Sequence, residues 1–219
     1  DSLNAWLKSS GFAHLSMVAR GHVYRRKILA LVNPAFDTLT AEETTGLQYA
    51  QQGDALFALY ASLFTGARAA WVDMVLEPAN KKILADGRSR LPVQDHAYWL
   101  GDMNPRETGR LLEAIERGTM TSASSAAMMR TMLRRQQAGA RRMPHFLDVP
   151  VAHKTGDSPV IANDVGMIYA RSGTIIVAFF VNAVTGSLGE TEDMIGRAAQ
   201  RVVDYFDGPA APVRRSPAP

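Results

Sequence analysis

The chain has 219 residues, no cysteine, and 24 basic against 21 acidic side chains, which gives a formal net charge of +3. This composition excludes a disulfide framework and a thiolate nucleophile. An excess of three charges without a long run of one sign argues against nucleic acid as a partner. No stretch reaches about eighteen consecutive apolar residues, so we expect no membrane span in an otherwise ordinary globular composition.

Helical patterns fill most of the first 140 residues. Thr40 and Glu43 form a predicted capping box for a helix that extends to about Gln51. The other helices predicted here are Ser2 to Ser10, which stops at Gly11, Val23 to Val32, Asp54 to Phe64 and Ala69 to Leu76. An irregular stretch is expected from Asn80 to Trp99.

Two further helices precede a change in pattern. Asn104, Pro105 and Glu107 predict the clearest helix start in the chain, and Gly118 ends that helix. The next helix is predicted from Ser122 to Gln137. Its apolar side is assigned to Met128, Met129, Met132 and Leu133. We interpret these methionines as core packing rather than as contacts to a cofactor.

From Val149 onward the hydrophobic period is that of strands. The predicted strands are Val149 to Thr155, Asp164 to Ala170 and Thr174 to Val181, with Ser172-Gly173 as a tight hairpin turn. They predict an antiparallel sheet. A terminal helix from Thr191 to Phe206 carries one apolar stripe, formed by Met194, Ile195, Ala198, Val202 and Phe206. The tail from Gly208 onward is predicted to be disordered.

The stretch VAHKTGDSP, Val151 to Pro159, places a lysine, a hydroxyl residue and a glycine at the end of a predicted strand. Lys154 offers a cation, Thr155 offers a hydroxyl, and Gly156 allows a ligand to approach the strand closely. The backbone N–H of Asp157 would point to where an oxyanion forms if an acyl group were attacked nearby. These residues predict half of an acyl-transfer site for a carboxylate-bearing ligand.

The surrounding sequence resembles the serine β-lactamase and penicillin-binding protein superfamily, and within it the class A-like β-lactamase enzyme family. HKTGDSPVIANDVGMIYAR is similar to the family's Lys-Thr-Gly strand, its turn with Asn163-Asp164 and the following strand, and TIIVAFFVN resembles the next strand. NPRETGRLLEAIERGTMTSAS resembles the helix pair before that sheet, and DSLNAWLKSSGF resembles the helix after the family's Ser-Asp-Asn motif.

The resemblance implies an α/β fold, α+β in layer terms, of β-lactamase/transpeptidase type. A helical lobe (about 1–140) would lie beside an antiparallel sheet with a C-terminal covering helix (about 149–207). Residues 1–207 would form one partial hydrolase domain, and residues 208–219 its disordered tail.

The resemblance also implies a serine hydrolase that opens β-lactams through an acyl-serine intermediate. Lys154 and Thr155 would act in catalysis and, with Gly156 and the backbone of Asp157, bind a small β-lactam or acyl-D-Ala-like substrate. No cofactor or metal is implied, and the protein would be periplasmic or secreted. A D,D-peptidase or esterase of the same superfamily and a non-catalytic ligand-binding homologue are the alternatives.

The family's nucleophile is the serine of a Ser-x-x-Lys motif, and no serine in this chain has a lysine three residues later. That motif and the Ser-Asp-Asn motif would precede Asp1. We therefore expect the chain to be the C-terminal part of such a hydrolase, inactive alone, with the missing N-terminal segment of the same protein as its partner.

Glu77-Pro78-Ala79-Asn80 is similar to the family's Glu-Pro-x-Leu-Asn loop, one residue shorter. The resemblance implies that Glu77 is the base that activates the deacylating water. The alternative is a surface carboxylate at a helix end.

Two other groups of polar residues have simpler interpretations. The histidines, which are His14, His22, His96, His145 and His153, show no metal-ligand spacing. We expect His153 to be a packed or solvent-touching side chain rather than a catalyst. The arginines Arg130, Arg134, Arg135, Arg141 and Arg142 could meet phosphates, but we interpret them as a solvated face.

Overall fold

The computed structural model describes residues 2–53, 55–82, 84, 99–158 and 160–208. Contacts between Cα atoms divide the chain into two compact units, residues 1–102 and 103–219. Within the described ranges, no helix has the length and apolar composition needed to cross a membrane.

The first unit consists of short helices around one apolar core. Its helices are α1 (Ser2–Ser9), α2 (Gly21–Leu29), α3 (Ala41–Gln52), α4 (Phe57–Tyr60) and α5 (Ala69–Leu76), with 3-10 turns at Pro34–Thr38, Ala61–Leu63 and Gly66–Arg68. Two short strands, β1 (Ser16–Met17) and β2 (Gly101–Asp102), pair antiparallel. The most buried core side chains are Phe36, Leu39, Leu47 and Val75.

The capping box predicted at the start of α3 is confirmed. The Thr40 hydroxyl accepts the backbone N–H of Glu43 at 3.1 Å, and the Glu43 carboxylate accepts the N–H of Thr40 at 2.9 Å. The carboxylate also forms an ion pair with Arg68 at 2.6 Å. These contacts satisfy donors that a helix start otherwise leaves unpaired.

The long helix predicted from Asp54 to Phe64 is wrong. Among the described residues of this stretch, only the turn α4 is α-helical, and Leu56 and Leu59 are 48% and 70% exposed. Tyr60 packs on α3 at Gly46, where an added Cβ would lie 2.7 Å from the Cβ of Tyr60. This tertiary contact therefore positions α4, because one turn has little helical stability of its own.

Parts of two other predictions lie outside the described residues. Residues 78–82 are helical, although we expected an irregular chain from position 80 onward. Of the rest of that stretch, 83 and 85–98 lie outside the described residues, as do Asp54 and residues 209–219 of the predicted tail.

The second unit combines helices with a three-stranded sheet. Its elements are α6 (Pro105–Arg117), α7 (Ala123–Arg134), α8 (Met143–Phe146), β3 (Val151–Ser158), β4 (Ile161–Ala170), β5 (Gly173–Asn182) and α9 (Leu188–Asp207). The strands are antiparallel in the order β3-β4-β5. This confirms the predicted strands, the hairpin and the terminal helix. The two-residue turn of the hairpin is Arg171-Ser172 rather than Ser172-Gly173, and Asn163-Asp164 lies within β4 rather than in a turn. The short helix α8 was not predicted.

Helices cover both faces of this sheet. Leu112 of α6 packs with Met167 on one face, which α7 also contacts, and Ala199 of α9 packs with Ile168 on the other face, which α8 also covers. Because strand side chains alternate between faces, consecutive residues of β4 enter different cores. The helices α6 and α7, which the sequence pattern placed in a helical lobe, thus pack on the sheet.

The apolar stripes predicted on α7 and α9 are partly wrong. Four side chains expected to be packed are largely exposed: Met128 at 64%, Met132 at 59%, Met194 at 61% and Phe206 at 56%. The helices pack instead through smaller side chains, such as Ala126 and Ala199, which are at most 1% exposed. A helix lying on a sheet buries only a narrow strip, so the margins of a broad apolar stripe remain in solvent.

Candidate functional site

The Lys-Thr-Gly triplet lies in β3, which continues past its predicted end to Ser158 and pairs, among the described residues, only with β4. The carbonyl of Pro150 accepts the N–H of Tyr169 at 3.0 Å, which makes these residues a hydrogen-bonded pair. Such pairs alternate along an antiparallel ladder. The alternation turns the backbone N–H and C=O groups of Thr155 and Asp157 toward the open edge.

Lys154 is exposed, and its Nζ donates to the backbone carbonyl of Thr155 at 2.6 Å. Because the ladder directs this carbonyl to the open edge, the bond brings the ammonium group to the same edge. An ammonium group has three N–H donors, of which this contact uses one. The edge of β3 therefore presents a cation beside the outward-directed N–H of Asp157.

The glycine of the triplet is not explained by packing within the second unit. A Cβ added at Gly156 would meet only the side chain of Asn163, at 3.7 and 3.9 Å, which are ordinary van der Waals distances. The backbone of Gly156 is also outside the left-handed region that favours glycine. The absence of a side chain keeps the strand surface next to Lys154 clear, as the close approach of a ligand requires.

Thr155 is 6% exposed, because the chain that follows α7 lies over it. Its hydroxyl oxygen accepts an N–H of the Gln136 side-chain amide at 3.1 Å. A Cβ added at Gly139 would overlap the Thr155 methyl group. We call residues 136–142 the strap. The family resemblance assigns Thr155 to the substrate, and its cover by the strap was not predicted.

Arg142, at the end of the strap, is 1% exposed, so its interpretation as part of a solvated face is wrong. Its guanidinium donates to the carbonyl of Asn163 at 2.6 Å and forms ion pairs with Asp157 and, at 3.1 Å, with Glu192. Guanidinium has five donors in a fixed plane and can serve several acceptors at once. The Asp157 side chain is thereby held against the protein, while its backbone N–H faces the open edge.

Three of the other arginines also have specific partners. Arg130 donates to the carbonyls of Ile115 and Glu116, both at 3.1 Å, and closes the end of α6. The Arg134 guanidinium lies 4.3 Å from the centre of the Tyr169 ring. Arg141 makes a two-point contact with Asp193, at 3.2 and 2.8 Å, and these hydrogen bonds lower the pKa of the Asp193 carboxyl.

A buried pair of side chains beside the triplet was not predicted from the sequence. The Nδ1 of His153 lies 2.8 Å from Oδ1 of Asp164, and the two residues are 3% and 0% exposed. Oδ2 of Asp164 is buried and has no hydrogen-bond partner within the part of the chain that the structure describes. Alternation placed His153 on the face opposite Lys154. The strand register, in which Thr155 lies opposite Asp164, brings the Asp164 carboxylate next to His153, and this register could not be read from the alternation.

Glu77 lies directly after α5, is exposed, and belongs to the first unit, whereas the triplet belongs to the second. Its N–H donates to the carbonyl of Asp73 at 3.0 Å, and its own carbonyl accepts the N–H of Lys81 at 2.9 Å. The Asn80 amide donates to the carbonyl of Met74 at 2.6 Å. The tetrapeptide thus forms a corner after α5, and Glu77 has the position of a surface carboxylate at a helix end.

The sequence model of the Beta-lactamase enzyme family matches residues 82–206, which is more than half of the chain. The chain belongs to the Beta-lactamase enzyme family. The matched range includes the three strands of the second unit and almost all of α9. Membership in this family confirms the resemblance inferred from the Lys-Thr-Gly sequence, and it relates the chain to hydrolases.

Solved β-lactamases share the fold. The TLA-3 extended-spectrum β-lactamase is 16% identical with a TM-score of 0.51, over 94% of this chain and 98% of that chain. A class A β-lactamase from Bacteroides cellulosilyticus DSM 14838 is 15% identical with a TM-score of 0.50, over 86% of this chain and 83% of that chain. These likenesses confirm the predicted combination of helices and antiparallel sheet. No curated protein matches the chain.

Among the residues that the structure describes, no three His, Asp or Glu side chains lie close enough together to hold a metal ion. His96 lies outside the described residues.

Proposed function

We propose that this chain supplies the substrate-binding strand of a serine hydrolase of β-lactamase type. The observation that carries the proposal is the open edge of β3, where the ammonium of Lys154 lies beside the outward-directed N–H of Asp157 and a glycine that packing does not require. A ligand that lies along this edge would place its carboxylate at Lys154 and its acyl carbonyl at the Asp157 N–H.

The proposed reaction is acyl transfer. A serine hydroxyl attacks the lactam carbonyl, the C–N bond breaks with protonation of the leaving nitrogen, and water hydrolyses the serine ester. No serine of this chain is followed by a lysine three residues later, so the nucleophile is assigned to no residue of this sequence. Glu77 is the proposed base for the deacylating water, supported by its tetrapeptide alone.

The proposed substrate is a β-lactam or an acyl-D-Ala-like peptide, and the proposed site of action is the periplasm or the extracellular medium. Family membership supports the proposed substrate, since the family is named for β-lactam hydrolysis. The chemistry proposed here uses side chains and backbone amides, so no cofactor has a role in it.

The test is a titration of the chain with benzylpenicillin by calorimetry. Replacing Lys154 by Ala removes a charge-assisted hydrogen bond, typically worth about 1.5–3 kcal/mol, so we expect the Kd to rise about ten- to a hundred-fold. Lys8→Ala removes an exposed lysine from α1 and serves as the control. Equal Kd values for wild type and Lys154→Ala would refute the proposed function.

A non-catalytic ligand-binding homologue is the second candidate, and the missing Ser-x-x-Lys sequence favours it. Treatment of the protein with a fluorescent penicillin separates the two. A stoichiometric covalent label supports the hydrolase, whereas binding that is reversible on gel filtration supports the homologue.

A further inference from the structure

The strap, residues 136–142, covers the hydroxyl of Thr155, which the family resemblance assigns to the substrate. Gln136 holds the start of the strap on Thr155 through the amide contact at 3.1 Å. At its other end, the N–H of Arg142 donates to the carbonyl of Gly139 at 2.9 Å, and the Arg142 guanidinium is tied to β3, β4 and α9. The strap is therefore anchored on both sides of Thr155.

The direction of the hydrogen bond decides what Thr155 can do. The amide nitrogen of Gln136 is the donor, so the Thr155 oxygen accepts this bond. A hydroxyl has one proton, and that proton must then point away from the amide. The Thr155 proton can therefore form a hydrogen bond with a different acceptor. A ligand carboxylate that is attracted by the ammonium of Lys154 is such an acceptor.

We propose that Gln136 is a positioning residue for carboxylate recognition: its amide holds Thr155 as a hydrogen-bond donor toward the carboxylate of the ligand. The inference rests on the proposed function, because it requires a carboxylate at Lys154. It adds a residue from the strap, outside the Lys-Thr-Gly strand, to the recognition of that group.

The chain offers a closely matched pair of variants. Gln136→Glu turns the donor into an anionic acceptor. The new carboxylate accepts a hydrogen bond from the Thr155 hydroxyl and repels the carboxylate of the ligand. Gln137→Glu adds the same charge at the next position, where the side chain is exposed and solvent screens it. Gln136→Met removes the amide without adding charge and keeps a side chain of similar length.

The experiment measures the Kd of benzylpenicillin and of its methyl ester for each variant. We expect Gln136→Glu to weaken binding of the acid about ten-fold or more and Gln136→Met about three-fold or more, with little change for the ester. Gln137→Glu is expected to change the Kd of the acid less than about three-fold. A merely structural role of Gln136 would weaken the acid and the ester together.

Each result separates the two proposals. Equal losses in Gln136→Glu and Gln137→Glu, or equal losses for the acid and the ester, would overturn the role of Gln136. If binding depends on Lys154 but neither Gln136 variant affects it, the inference fails and the proposed function stands. If wild type does not bind the acid in a Lys154-dependent way, both fail.

Discussion

At the residue scale, the face of β3 opposite Lys154 is organised by the buried pair of His153 and Asp164. A carboxylate with no exposure is costly unless it has partners, and the imidazole supplies one at 2.8 Å. Gly166 makes room for this arrangement, because it lies opposite His153 in the register. A Cβ added there would lie 2.5 Å from the carbonyl oxygen of Ala152 and 2.8 Å from the Cβ of His153.

We therefore expect Gly166→Ala to destabilise the protein by about 1–3 kcal/mol, since backbone and a rigid side chain would have to shift. Gly186→Ala is the matched control, because an added Cβ at Gly186 meets nothing within 4 Å. Urea unfolding followed by circular dichroism gives both free energies of unfolding. Equal losses in the two variants would contradict the steric role of Gly166.

At the element scale, the end of α9 is tied to the β4–β5 hairpin. The Asp207 carboxylate accepts the backbone N–H groups of Ser172 at 2.8 Å and of Arg171 at 2.9 Å. Hydrogen bonding from Ser172, followed by that from Arg171, lowers the pKa of Asp207 from 3.8 to about 2. The ionised carboxylate thus joins the terminal helix to the turn between two strands.

The lowered pKa predicts a dependence of stability on pH. A carboxyl whose pKa is lower in the folded state contributes stability above the unfolded pKa of 3.8, and this contribution is lost as the pH falls toward 2. Asp207→Asn should therefore lower stability at pH 7 and lose less stability than wild type between pH 4 and about pH 2.

Urea midpoints of wild type and Asp207→Asn across this range give the measurement. Asp204→Asn removes a carboxylate from the preceding turn of α9 and should keep the wild-type acid dependence. An identical acid dependence in wild type and Asp207→Asn would show that this contact does not set the pKa.

At the scale of the whole molecule, the net charge of +3 could have suggested a polyanion partner. Several of the arginines that we interpreted as a solvated face have partners within the second unit: Arg130 at the end of α6, Arg134 on Tyr169, Arg141 with Asp193 and Arg142 with two carboxylates. Cations committed to internal partners contribute little to phosphate binding, which depends on a patch that can release counterions.

We expect no binding of duplex DNA at about 0.15 M salt. Fluorescence anisotropy of a labelled duplex, titrated with the protein, is the measurement, and a strongly basic DNA-binding protein provides the positive control. Saturable binding that weakens steeply with added salt would show that the arginines form a functional basic surface after all.

Features that depend on neighbours within a few residues could be predicted from the sequence. The capping box at Thr40, the cap at Asn104 and the helix end at Gly118 follow from local hydrogen bonds and backbone conformation. The strands follow from the alternation of apolar side chains and the hairpin follows from a turn sequence. The Lys-Thr-Gly triplet lies at the end of the first strand predicted in this way. These signals were sufficient for the fold class and for the resemblance to a family.

The tertiary structure decided which side chains the site contains. The bond from Gln136 to Thr155, the burial of Arg142 and the pairing of His153 with Asp164 join residues 11 to 50 positions apart or depend on the elements that cover them. No periodicity encodes these contacts, because they arise from strand register and from the path of the strap over Thr155. Burial of a charge is a property of its whole surroundings, and those form only when distant segments meet.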